Sequence, residues 1–386
     1  MKNLSKKIVN QLKLFLKKSN YNLHEPELNF RDLHHLNQCF KSGMISTAGK
    51  YVTKFENEIK KTTKSKYVVS VTSGTVGLFI SLKVLNIKKN DEVIVPAITF
   101  VATANAVAQC DAIPHFADIE NTTFGIDATK LDKYLSKATY IKKDICYNRK
   151  TKKIIRAIIP VHIFGHPCRI DQIIKVAKKY KLAVIEDAAE AIGSFYKKRH
   201  VGNFGAIGVL SFNGNKIITC GGGGAVITNN KILYKKIKHI CSTAKVNHPY
   251  RYIHDEIAYN FRLPAINAAL GYAQILRLKK LITKKTKLYK IYKKIFSNIN
   301  DVDIVNSPKN CSSNFWLQTI RLSNDAKKFK TKIIKECQLA GLKVRPLWDI
   351  LPKLRMYKNC PSMNLDNSKK AYDTVINIPS SSSIIK

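Results

Sequence analysis

Between residues 66 and 230, short apolar runs alternate with segments whose apolar residues recur every three or four positions. Tyr67-Val68-Val69-Ser70-Val71 is rich in β-branched residues and predicts a strand. The helix predicted after it, Gly74 to about Leu85, places Leu78, Leu82 and Leu85 on one face. The same reading gives strands at 92–95 (stopped by Pro96), 113–116, 154–160, 182–185, 207–212 and 225–228, with helices at 100–109 and 171–180. Continuously apolar strands separated by helices predict an α/β fold around a mostly parallel sheet buried on both faces. The polar, lysine-rich stretch 141–153 reads as a surface loop or hairpin excursion. After residue 230 the pattern changes to helices at 231–241, 264–279 and 281–296. Short strands follow at 317–322 and 342–345, with a helix near 326–339, which predicts a smaller C-terminal α+β domain. At the other end Ile8, Leu12, Phe15 and Leu16 share one helical face, so residues 1–60 read as a helical segment packed on the core. The domain expectation is therefore 1–60, a large domain at 61–262, and connecting helices with a small domain at 263–386. The tail SSSSIIK reads as loose.

Composition narrows the function classes. The chain has 386 residues, 45% of them hydrophobic, which is globular composition. No apolar run reaches the roughly 18 residues that span a bilayer, which excludes an integral membrane protein. The basic N-terminus is broken by Lys13, Lys17 and Lys18 and reads as a docked helix rather than a secretory signal. Lys and Arg total 67 against 26 acidic residues, a net charge of +41. The lysines are dispersed and far outnumber the arginines, so solvated surface is the simpler reading and nucleic-acid binding the lesser one. Nine cysteines with no CxxC suggest neither a metal site nor a disulfide framework, and reduced thiols fit a cytoplasmic location.

Ligands of open α/β sheets sit at the carboxyl ends of the strands, and three of those ends carry chemistry. Thr72-Ser73-Gly74-Thr75 opens a helix, where free N–H groups attract an anion and Gly permits close approach. A simple helix cap is the plainer alternative for this stretch. Glu186-Asp187-Ala188-Ala189-Glu190 puts carboxylates at a strand end, suited to a cationic ligand group or to a cap. Ser211-Phe212-Asn213-Gly214-Asn215-Lys216 sets a lysine in a polar turn before Gly221 to Gly224. The run Gly202, Gly205, Gly208 lacks nucleotide-binding spacing and reads as loop glycines. In this chain order the three ends meet the needs of pyridoxal phosphate: an anion site, a carboxylate for the pyridine nitrogen, and an amine for the aldehyde.

The chain also resembles the DegT/DnrJ/EryC1/StrS sugar aminotransferases, which have the type I fold of pyridoxal-phosphate enzymes, like that of aspartate aminotransferase. The stretches that carry this are TSGTVGLFISL from Thr72, PAITFVATANAV from Pro96, IEDAAEAIGSFYKKRHVGNFG from Ile185, SFNGNKIITCGGGG from Ser211 and YNFRLPAINAALGYAQ from Tyr259. The resemblance implies that Lys216 bonds the cofactor and shuttles protons, and that Asp187 pairs with the ring nitrogen. Phe100 would stack on the ring and Glu190 lie near its hydroxyl. Gly74, Thr75 and Ser211 would hold the phosphate. Asn260 would reach the cofactor phosphate of a neighbouring subunit, making a homodimer with shared active sites the minimal unit. His162, Arg262, Arg345 and Trp348 would contact substrate, and no metal is implied. Within the family, HEP from His24, FGHPCRID from Phe164, TAKVNHPY from Thr243, RPLW from Arg345 and NIPSS from Asn377 resemble the branch that aminates C4 of UDP-linked 4-keto-6-deoxy-N-acetylhexosamines. Glutamate is the amino donor that resemblance implies. A GDP- or dTDP-linked sugar, or a C3 ketone, is the alternative, and a non-catalytic basic binding protein on this fold is a remote one. Gly77 and Phe79 depart from the family pattern, and Lys216 argues against the sister dehydrases that carry His there.

Overall fold

The structure, a computed structural model, describes residues 3–386. Its centre is a seven-stranded sheet in the spatial order Tyr67–Val71, Gly224–Thr228, Ile207–Ser211, Ala183–Asp187, Ile155–Ile158, Glu92–Pro96, Ile113–Ala117. Gly224–Thr228 runs antiparallel to both its neighbours, and the other neighbouring pairs are parallel. The strands are buried almost throughout, as their uninterrupted apolar runs require. Helices such as Gly74–Val84, Ala102–Ala108 and Ile170–Lys179 link successive strands. Local chemistry marks their starts. The Ser73 side chain accepts from Val76 N–H at 3.1 Å, and Asp127 and Asn230 cap Ala128–Ala138 and Lys231–Ile240 in the same way.

A four-stranded antiparallel sheet in the order Val302–Ile304, Gln318–Leu322, Val375–Ile378, Arg345–Pro346 forms the smaller layer. Its core joins Leu288, Tyr292, Phe296, Ile320, Ile333 and Ile376 to Ile8 and Leu12 of the first helix, Leu4–Phe15. The helices Phe30–Lys41 and Lys50–Thr63 pack instead on Ala265–Ile275. A strap at residues 21–27 crosses between the two groups. It forms a bridge from Tyr21 to Leu342 and a 2.7 Å hydrogen bond from Ser380 N–H to Leu23 O.

Several readings change. The stretch 139–148 is the hairpin, Thr139–Lys142 against Ile145–Asn148. The strand expected at 342–345 is confined to Arg345–Pro346, because Leu342 pairs with the strap. The tail is not loose. Ser380 Oγ accepts from Gln318 N–H at 2.7 Å, Ser381 Oγ accepts from Glu25 N–H at 2.8 Å, and Ser380–Ser382 are buried. Gly208 is not a loop residue but the second residue of a central strand.

Candidate active site

A cavity of about 540 Å³ opens where the carboxyl ends of the central strands meet the smaller layer. From the seven-stranded sheet and the loops and helix that follow its strands it takes Ser73, Gly74, Thr75, Phe100, Asp187, Glu190, Ser211 and Lys216. Every residue in that group apart from Ser73 was expected at the cofactor. Gly74 starts its helix against Ser211. A Cβ on Gly74 would lie 2.9 Å from Ser211 Cβ, so the glycine lets the helix N-terminus and the serine approach one another. Ser73, Gly74, Thr75 and Ser211 thus bring N–H groups and hydroxyls to one corner suited to an anion.

Asp187 closes the floor at the end of Ala183–Asp187. Its Oδ2 accepts from Thr103 Oγ1 at 2.8 Å and its Oδ1 from Ala189 N–H at 3.1 Å. Burial pushes this carboxyl up from its ordinary value, against the pull of those donors and of Lys216. A cationic ring nitrogen would complete the site by restoring its charge.

Glu190 is buried three residues on, and burial pushes it up to about 7. Its Oε2 accepts from Phe164 N–H at 2.7 Å, and its Oε1 lies 3.5 Å from Lys216 Nζ. Phe164 adopts a left-handed backbone conformation, φ 57°, that turns its N–H toward the carboxylate. Lys216 follows a turn closed by its own N–H to Asn213 O at 3.0 Å. Its amine lies 3.8 Å from the centroid of the Trp316 ring.

The opposite wall comes from distant segments: Leu23 and His24 of the strap, Trp316, Arg345, Trp348 and Asn377. Arg345 and Trp348 were expected as substrate contacts, and Trp348 stacks on Phe164 at 5.3 Å. Three expected residues do not line this cavity. His162 is fully buried behind the sheet, and the structure corrects its reading as a substrate contact. Its Nδ1 accepts from Cys168 N–H and its Nε2 donates to Glu186 Oε2 at 3.1 Å. Arg262 lies alongside Val71, with Nη2 3.6 Å from Glu56 Oε1, so it serves no contact in its own cavity. Asn260 is exposed outside it. Trp316 and Thr103 were missed. Trp316 is one of two tryptophans in the chain, both at the cavity, but FWLQTI gave only a strand signal.

The profile of the DegT/DnrJ/EryC1/StrS aminotransferase family matches residues 26–386. The chain belongs to this family. The GDP-perosamine synthase of Escherichia coli O157:H7 is 38% identical over 77% of each chain. That of Vibrio cholerae is 32% identical over 93% of each. Among solved structures, PseC of Helicobacter pylori, an aminotransferase involved in pseudoaminic acid biosynthesis, superposes with a TM-score of 0.85 at 25% identity over 93% of each chain. The fold is the type I aminotransferase fold, and the protein is a pyridoxal-phosphate-dependent sugar aminotransferase. No helix among the described residues is long and apolar enough to cross a membrane.

Proposed function

We propose that this aminotransferase moves an amino group from glutamate to the C4 ketone of a GDP-linked 4-keto-6-deoxyhexose. The observation that carries the amino-transfer reading is one amine, Lys216, held 3.5 Å from Glu190 in a cavity floored by Asp187. The GDP carrier is supported by the two GDP-perosamine synthases, and it replaces the UDP-linked N-acetylhexosamine expected from the motifs alone. Pyridoxal phosphate supplies an aldehyde that bonds an amine and a ring that withdraws electrons.

The chain's own residues do the rest. Gly74, Thr75 and Ser211 bind the phosphate, and Phe100 covers the ring. Asp187, fixed by Thr103 and Ala189, holds the proton on the ring nitrogen. Lys216 bonds the cofactor and, once released, moves the proton to and from the sugar C4. Arg345 and Trp348 orient the sugar nucleotide from the smaller layer. Asn260, exposed on its own subunit, reaches the cofactor phosphate of a second copy, so the working unit is a homodimer.

The test is to load the purified protein with cofactor, record its visible band, and add glutamate. Loss of that band in wild type, with no covalent attachment in Lys216→Ala, is the expected result. Amine return is then timed with GDP-, UDP- and dTDP-linked keto sugars. Faster turnover with a UDP- or dTDP-linked sugar overturns the GDP assignment. A protein that binds no cofactor overturns the whole reading.

A further inference from the structure

Lys216 is gripped from two sides. The Trp316 ring lies under its amine at 3.8 Å, and Glu190 Oε1 stands 3.5 Å away. Both grips are anchored. Trp316 Nε1 donates to Asn215 O at 2.8 Å, which ties the indole to the turn carrying the lysine. Phe164 N–H holds Glu190 Oε2 and leaves Oε1 to the amine. Trp316 is 5% exposed and the lysine side chain 12% exposed. An ammonium over an indole face gains most when water is kept away. Two further titratable groups face this amine. Asp187 attracts its charge. His24, from the strap, is held neutral by burial and by the charges of Lys285 and Lys216.

We propose that Trp316 and Glu190 form a resting cradle for the Lys216 ammonium, which parks the lysine within reach of the reacting atoms whenever it is not bonded to the cofactor. Trp316 is thereby a positioning residue. The inference rests on the reading of Lys216 as the cofactor-bonding amine. Leaving the cradle requires one proton transfer, from Lys216 Nζ to Glu190 Oε1, which yields a neutral amine with a free lone pair and a neutral carboxylic acid. Glu190, raised to about 7, accepts that proton more readily than an ordinary carboxylate. A neutral amide at this position would offer neither the counter-charge nor the proton acceptor.

The protein carries its own reporter. With Trp348→Phe, the emission of the cofactor-free protein comes from Trp316 alone. A cation held against the ring changes that emission, so Lys216→Met is expected to shift its intensity and Glu190→Gln to move it part of the way toward the Lys216→Met value. Acetylation of Lys216 by acetic anhydride at one fixed pH, followed by mass spectrometry of its peptide, gives a second reading. Trp316→Leu should speed that acetylation by about threefold or more, and Trp316→Phe should restore the slow rate. Should Trp316→Leu fail to fold, the Glu190→Gln and Lys216→Met arms still decide. A Trp316 emission unchanged by Lys216→Met and by Glu190→Gln overturns the cradle. Failure of the function proposal looks different: the emission change is present, but no visible band appears when pyridoxal phosphate is added.

Discussion

Replacing Gly208 with alanine should unfold the site from behind. Gly208 lies in the central strand Ile207–Ser211, beside Glu186 in the parallel register. A Cβ there would sit 2.2 Å from Gly202 O and 2.5 Å from Gly202 Cα. Ordinary carbon contacts are about 3.5–4.0 Å, so the two backbones must part by about 1 Å. No side chain can yield, because every close atom is main chain. The turn that must move is the one that satisfies a buried charge. Gly202, Phe204 and Gly205 N–H groups donate to Glu186 at 2.8, 2.5 and 2.7 Å. Overpacking costs about 1–3 kcal/mol. A weakened set of hydrogen bonds to a buried carboxylate adds about 1–3 kcal/mol. Gly208→Ala should therefore lose about 2–6 kcal/mol in urea denaturation, through a lower midpoint at an unchanged slope. Gly214→Ala is the control: its Cβ would meet nothing nearer than Gly221 O at 3.7 Å. Its effect should stay within about 0.5 kcal/mol. A Gly208→Ala loss below about 1 kcal/mol, or one no larger than the control's, would refute the steric argument.

Three further outcomes are expected. Because burial raises Glu190 to about 7, the folded cofactor-free protein binds that proton more tightly than the unfolded chain. The resulting stabilisation is complete below the ordinary carboxylate value and is lost as pH rises through about 7, on a scale of about 3 kcal/mol. Glu190→Gln should flatten this fall, read as converging urea midpoints at about pH 5 and about pH 8. Asp118 is buried and accepts from Lys130 Nζ at 2.9 Å, Ser368 N–H at 2.8 Å and Ser368 Oγ at 2.6 Å. Asp118→Ala should cost about 3–5 kcal/mol in the same assay by stranding these donors, and Asp118→Asn should recover part of the loss. Asp187→Asn should leave the cofactor bound but slow the glutamate-driven loss of its visible band by about 100-fold or more in single-turnover spectroscopy.

The residues expected at the cofactor were legible as one group lining the cavity because each part is local. A strand, its terminal residue and the turn after it are contiguous, so Gly74, Asp187, Ser211 and Lys216 stand next to the patterns that place them. His162 was misjudged because a polar residue after a strand gives the same signal whether it faces a ligand or a buried partner such as Glu186. The glycine run looked like loop because spacing cannot show that Gly208 touches Gly202 across a strand edge. The tail looked free because serines promise exposure, yet Ser380 and Ser381 pair with Gln318 and Glu25 from far along the chain.

The same contrast explains why the sugar is harder to read than the cofactor. The residues expected at the cofactor stand at the carboxyl ends of strands of one sheet, each beside the local pattern that places it. The opposite wall draws His24, Trp316, Arg345, Trp348 and Asn377 from four stretches joined only in the folded chain. Two of those regions depend on the strap, which binds Ser380 through Leu23 and Ser381 through Glu25 while it delivers His24. A change in the strap or the tail therefore alters the opposite wall more than the floor around Asp187. Such variants should shift KM for the sugar nucleotide and leave the glutamate-driven spectral change intact. That division would let one amino-transfer chemistry serve different sugars through segments remote in sequence from the lysine.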